Sequence, residues 1–308
     1  MKSKYLLITG ITLGVSLLTV NLVNNQNHNN IDFINVKATD TKPIIEESQK
    51  VFQNNDSDKK KLINLMINSI NYFQNAQGEF DYYSANADTD MTITFAVDIL
   101  NHKSYEKNVY NHLKTKDIVS PQEESLFDGE NYSVMRNDDY IKAMLATDKT
   151  FKESDYLPFV TNKIEIPSQY LESSKSIETI DERLDEEQSY IRKMDVSLMG
   201  ITKTALLPED FAIGFMGTDY TKWDIVSNQE YLGRHCVEIS THFNDYYQNK
   251  HHGKEMNLLI DASTGVLLKA SIKNKGKETF KVQMNQLSFN EVIDNQIFHQ
   301  FDDRIKES

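Results

Sequence analysis

The spacing of apolar residues along this chain changes from a helical period to a period of two, loses regularity, and then returns to two. Leu62, Leu65, Met66, Ile70 and Phe73 recur at helical spacing, which predicts one amphipathic helix starting near Ser57 or Asp58, either of which can cap it, with Gly78 beyond its end. In "MTITFAVDIL", Met91, Ile93, Phe95, Val97 and Ile99 fall on one face, while Thr92, Thr94, Ala96 and Asp98 fall on the other. That is the pattern of a half-buried strand. "GEFDYYSA" and "KSYEKNVYNHLK" have similar character, and "SLFDGENYSVMR" predicts a hairpin turning at Asp128-Gly129. The first half therefore reads as a helix followed by an antiparallel meander.

Residues 138–222 interrupt this pattern. "DDYIKAMLA" predicts a short helix, and Pro158 and Pro167 break the chain beyond it. "SIETIDERLDEEQSYIRKM" sets Ile177, Ile180, Leu184, Ile191 and Met194 near heptad spacing among acidic residues, which suits a helix packed on its own domain or one that binds a partner. "TALLPEDFAIGFMG" adds an apolar piece interrupted by proline. We read this section as a helical insertion in the sheet. From Trp223 the period of two returns, with Met256/Leu258/Ile260, Val266/Leu268/Ala270/Ile272 and Phe280/Val282/Met284 as successive apolar faces. The linkers "ASTG" and "NKGK" each carry a Gly where a type I turn with a glycine bulge needs positive φ. Asp261 opens the first linker and reads as a turn residue whose carboxylate accepts backbone N–H groups, not as a catalytic acid.

The N-terminus is organised differently. Lys2 and Lys4 precede an uncharged apolar run from Tyr5 to Val23, and Val36-Lys37-Ala38 forms a small-residue site well past it. This describes either a membrane anchor or a signal segment cleaved after Ala38 (residues 1–38), and both export the rest of the chain. Residues 39–58 read as a flexible tether and 59–300 as a single domain. The only cysteine, Cys236, cannot form an intramolecular disulfide, which fits a bacterial extracytoplasmic protein.

Lys and Arg number 33 against 46 Asp and Glu, a formal charge of −13, so a nucleic-acid-binding role is disfavoured. No catalytic or metal-binding set emerges. His235 neighbours Cys236, but adjacent strand residues point to opposite faces, so it cannot activate that thiol. His251-His252 lacks the spacing that puts two ligands on one face, and neither His235 nor His242 completes a set. Asp88 to Asp90 is too short for a calcium loop, and no Gly pattern cradles a phosphate. No motif requires a cofactor.

Three passages carry a family resemblance: "VSNQEYLGRHCVEIS", "LLIDASTGVLLKASI" and "NQLSFNEVIDNQIF", with "SLFDGENYSVM" as an earlier hairpin. Together with the order of elements, they resemble the lipoprotein-localisation (LolA/RseB-like) superfamily, as a Gram-positive-type exported member. The match is loose over Lys59 to Met135 and closer over Trp223 to Phe298. The resemblance implies an α+β fold, a strongly curved antiparallel sheet forming an open half-barrel covered by helices on its concave face. It also implies a non-enzymatic, envelope-associated protein holding a hydrophobic or acylated ligand in that hollow. The alternative it offers is a regulatory module bound to a membrane protein partner of the anti-sigma-factor type, for which the acidic stretch Glu178 to Glu187 supplies a face. Membrane association would run through the N-terminal segment alone. Phe95, Val97, Trp223, Met256, Leu258, Phe280 and Met284 are the candidates to line the hollow, and each also suits an ordinary core packed on the helices.

Overall fold

The computed structural model describes residues 51–147, 152, 156–166, 195–242 and 253–307. The apolar N-terminal run, most of the expected tether, the acidic stretch from Glu178 to Glu187, and His251-His252 lie outside the described residues. No helix among the described residues is long and apolar enough to cross a membrane.

The chain enters the fold with helix α1 (Asp56–Ile67), whose cap is Asn55. The Asn55 side chain accepts a bond from Asp58 N–H at 3.0 Å, so the helix starts ahead of the cap read from the sequence. A meander follows: β1 (Asn75–Ser84), β2 (Thr89–Asp98), β3 (Lys103–Tyr110), β4 (Gln122–Phe127) and β5 (Asn131–Arg136). After α2 (Asp138–Thr147) comes β6 (Phe159–Lys163), and a second meander runs through β7 (Trp223–Tyr231), β8 (Arg234–His242), β9 (Glu255–Asp261), β10 (Leu267–Asn274) and β11 (Lys277–Phe289). Among the described residues eleven strands form one open antiparallel sheet in the order β6-β5-β4-β3-β2-β1-β11-β10-β9-β8-β7. The seam between the two meanders is the β1–β11 pair, from Ala76 opposite Phe289 to Ser84 opposite Phe280. This is the open α+β half-barrel expected from the sequence.

The inner face carries the main core, built from α1, the sheet, and residues 199–216. The insertion, expected to be helical material broken by prolines, also contributes a strand, because β6 inside it pairs with β5, from Asn131 opposite Lys163 to Met135 opposite Phe159. Five residues are too few for alternation to show, and Pro158 sits just ahead of them. Within the expected tether, Phe52 is only 6% exposed and belongs to the core.

The "NKGK" turn also differs from the reading. Lys275 (φ 50°) and Gly276 (φ 78°) join β10 to β11 as a two-residue loop with both residues left-handed, the type I′ geometry that follows strand twist, with no glycine bulge in it. Leu232 (φ 53°) and Gly233 (φ 71°) join β7 to β8 in the same way. The passage "NQLSFNEVIDNQIF" divides between the end of β11 and a turn-rich segment. β11 ends at Phe289, and Asn290 turns left-handed at φ 59°. Phe298 and Phe301 then pack on the outer face against Ala96, Tyr105 and Leu126, making a second, smaller core.

Candidate functional site

Antiparallel partners that face each other share a side of the sheet, so the register defines the rows of the inner face. One row runs Trp223–Thr241–Met256–Ile272–Phe280–Ser84. The next runs Ile225–Ile239–Leu258–Ala270–Val282–Tyr82–Met91. Met284, Phe80 and Ile93 form a third, and Phe95 and Val97 continue along β2. All seven candidate lining residues thus share the inner face, and all seven are buried in the same core cluster. Their side chains meet helical residues there: Leu62, Ile63 and Met66 of α1, Leu206, Phe211 and Met216. The Phe211 ring stacks on Phe215 at 5.1 Å and tilts against Phe280 at 6.0 Å.

The cover over these rows is short and irregular. Residues Lys203–Leu206 form a single helical turn, Pro208 breaks it, and Asp210–Met216 winds as a π-helix. Its widened ladder shows in the bond from Gly217 N–H to the Ala212 carbonyl at 2.9 Å. Such π-segments are uncommon and concentrate at functional sites. Polar bonds fasten this cover at its margins. Lys59 of α1, buried, donates to the carbonyls of Tyr220 at 2.7 Å and Trp223 at 2.5 Å, and its ammonium sits 5.1 Å from the Trp223 ring centre. Ser69 donates to the Leu206 carbonyl at 2.5 Å, and Trp223 Nε1 donates to the Gly217 carbonyl at 3.3 Å.

Toward β3, β4 and β5 the inner face turns polar. Glu106 stands opposite Phe95, Asn108 opposite Ile93, and Glu123 opposite Asn108. Glu106 is 3% exposed; its carboxylate accepts from Thr202 N–H at 2.7 Å and from Asn108 Nδ2 at 2.9 Å. Loss of hydration raises its pKa, and the bonds from Thr202 and Asn108 only partly oppose the rise. Gly200, at φ 64°, lets the cover approach this carboxylate, since a Cβ there would lie 2.9 Å from both its oxygens. Glu123 is likewise raised by burial, with the Arg136 guanidinium, bonded at 2.7 Å, pulling the other way. Burial also raises the hydroxyls of Tyr110 and Tyr140, whose rings meet at 5.2 Å. Sequence reading missed this polar quarter because Glu106 and Asn108, taken alone, look like the solvent side of an alternating strand. The signal lay in the pairing register, which puts them beside Phe95 and Ile93.

On the outer side, near the start of α2, a polar cleft of about 440 Å³ is lined by Glu124, Arg136, Asp138, Arg304, Met135 and Pro158, among others. It shares none of the seven apolar candidates.

The other sequence candidates resolve into structural roles. The Asp261 carboxylate accepts from Ser263 N–H at 3.0 Å, from Thr264 N–H at 2.7 Å and from the Thr264 hydroxyl at 2.8 Å, and it pairs with Arg234. Cys236 is buried, and desolvation pushes its thiol up to about 12, far from a nucleophile's range. His235 lies on the surface, 4.0 Å from Glu230. Among the described residues, no three His, Cys, Asp or Glu side chains gather as a metal site.

No family profile matches this chain, and no curated protein matches it in sequence. Solved structures of similar shape include MucB (14% identity, 78% of this chain and 61% of that one, TM-score 0.37). LprF from Mycobacterium bovis shows 10% identity over 78% of this chain and 97% of that one, at a TM-score of 0.38. The LolA superfamily protein NE2245 from Nitrosomonas europaea shows 10% identity over 78% and 96%, at 0.24. The architecture rests on strand order and register.

Proposed function

We propose that this chain is an exported, envelope-associated binding protein that holds a lipid-like or acylated ligand against the inner face of its sheet, without catalysing a covalent step. The observation that supports this most is the set of apolar rows crossing β7 to β11, β1 and β2 under a cover made of helical pieces. A sheet roofed by another sheet or by long helices would be locked by continuous packing. Here a single helical turn, a proline and a π-helix complete the cover, and polar bonds at its margins hold it down. An acyl chain inserted between them would replace the contacts of Phe211, Leu206 and Met216 with chemically similar ones, so the exchange of apolar surface is nearly neutral. The polar quarter around Glu106, Asn108 and Arg136 lies at one end of these rows and suits the polar end of such a molecule.

The regulatory alternative draws on the acidic stretch from Glu178 to Glu187, which lies outside the described residues; the ligand reading is supported by the apolar rows of the inner face. Trp223, the sole tryptophan, is a built-in reporter within the first row. The test is native mass spectrometry and lipid extraction of the protein purified from its envelope, followed by titration with a fluorescent fatty acid. The expected result is a co-purified amphiphile and a saturable change in Trp223 emission. Finding no extracted ligand and no response of Trp223 would overturn the proposal.

A further inference from the structure

An open sheet has two terminal strands, and among the described residues β7 is one of them. A terminal strand offers unpaired backbone groups to any other strand that meets it, a hazard most proteins cover or charge. In this chain the residues just ahead of α1 run beside β7, bonding through side-chain amides in place of a backbone ladder. The Asn228 amide takes both backbone groups of Phe52: Phe52 N–H donates to Asn228 Oδ1 at 2.9 Å, and Asn228 Nδ2 donates to the Phe52 carbonyl at 2.8 Å. Asn54 does the reverse. Its Oδ1 accepts from Ile225 N–H at 3.1 Å, and its Nδ2 donates to the Asp224 side-chain carboxylate at 2.9 Å. The Phe52 ring is sunk in the core and anchors the segment. Asn55 then caps α1, and Lys59 bonds the Trp223 carbonyl one turn later.

We propose that Phe52 to Asn54 is an edge guard, a stand-in for a twelfth strand that prevents the β7 edge from pairing with the β7 edge of a second copy of this chain. The choice of occupant rests on the strand itself. Between two bonded positions it carries Val226, an apolar side chain 58% exposed; the register shift beside it, between Ile225 and Ser227, is a bulge that by itself works against pairing. With the guard in place, Ile225 N–H is spent and Val226 is the only apolar side chain left outward between Asp224 and Asn228. With the guard removed, a like strand finds a free donor beside an apolar contact that matches its own. Asp224 and Glu230, both largely exposed, add charge that opposes pairing. The guard therefore supplies the backbone half of the protection.

The test uses the full-length chain in mild detergent, so that any association through the N-terminal segment is common to every variant. Asn54→Ala with Asn228→Ala is expected to speed deuterium exchange at the Ile225 amide by at least about 10-fold, as for an amide released from a bond into a fraying edge, and to shift sedimentation toward a dimer. Adding Val226→Lys, at an exposed position, is expected to restore the original sedimentation while exchange stays fast. Unchanged exchange at Ile225 would overturn the proposal even where the double variant is too unstable to sediment cleanly, for which Asn54→Ala alone serves. Association that Val226→Lys does not reverse would also overturn it.

Discussion

Gly265 lies against the main chain of α1 so closely that a Cβ on it would stand 2.6 Å from Met66 N and nearer still to the Leu65 carbonyl. Gly265 also has φ 78°, and its N–H closes the β9–β10 turn on the Asp261 carbonyl at 2.9 Å. The glycine of "ASTG" therefore meets two demands, turn geometry and helix docking, of which only the first shows in sequence. Gly265→Ala is expected to cost about 3 kcal/mol, combining left-handed strain with overpacking. Denaturant unfolding would check this. A loss under about 0.5 kcal/mol, the range of ordinary surface changes, would mean that the helix is not seated on the turn.

Asp261 is 1% exposed and organises that same turn. Asp261→Ala removes three bonds and leaves Arg234 without its carboxylate, so a loss of about 3–5 kcal/mol is expected. Asp261→Asn retains an acceptor for Thr264 N–H and should lose less. Comparing the two by thermal unfolding separates the turn from the ion pair. Equal losses would assign the whole effect to the ion pair.

The contrast between Asp261 and Glu106 shows what was legible in the sequence and what was not. Asp261 stands beside Ser, Thr and Gly, and its turn partners lie within three residues, so local turn chemistry identifies its role. Glu106 bonds Thr202, which is distant in sequence, and only the assembled fold brings them together. The long strands and their apolar faces were legible because alternation repeats over many residues. β6 and the Leu232-Gly233 turn were not, since one is too short and the other lacks the usual Asn or Asp. The shared face of the seven lining candidates comes from alternation and pairing. The filling of that face by Phe211, Leu206 and Met216 depends on how a proline-broken insertion folds back, which no periodicity encodes.

Buried carboxylates give a pH dependence of definite sign. Glu106, Glu123 and Asp195 all have pKa values raised chiefly by burial above the ordinary 4.5 for Glu and 3.8 for Asp. Between the unfolded and folded values the native state binds more protons, so their contribution to stability is fully present below the unfolded pKa and falls as pH rises through the folded one. Asp58, Asp128 and Asp219 are lowered instead, by hydrogen bonds, and their contribution is lost only as pH falls through their folded values, below 3.8. The thermal midpoint should therefore rise as pH drops toward the ordinary carboxylate value of 4.5, the side on which the buried groups take up protons. Glu106→Gln retains the shape and one acceptor for Thr202 N–H but cannot ionise, and it should flatten that rise. A slope identical to the wild type would show that Glu106 does not titrate across the unfolding transition.

Lys59 links α1 to the end of the cover, and its replacement separates the stability of the fold from the accessibility of the inner face. Lys59→Met retains most of the apolar stem and removes the charged donor shared by the Tyr220 and Trp223 carbonyls. Hydrogen bonds to a charged group are worth about 1.5–3 kcal/mol, so a stability loss of about 2 kcal/mol is expected. Because those bonds hold the segment just after the π-helix, the loss falls on opening of the cover more than on the sheet beneath it. A fluorescent fatty acid should then bind Lys59→Met faster than the wild type, by about 10-fold for each 1.4 kcal/mol by which the closed cover is weakened. Stopped-flow mixing with Trp223 emission as the signal would measure this, and an Asp261→Asn variant would control for global destabilisation. If both variants bind at the wild-type rate, the ligand does not reach the sheet by displacing residues 206–217. If both accelerate equally, global unfolding, and not the Lys59 fastening, governs access.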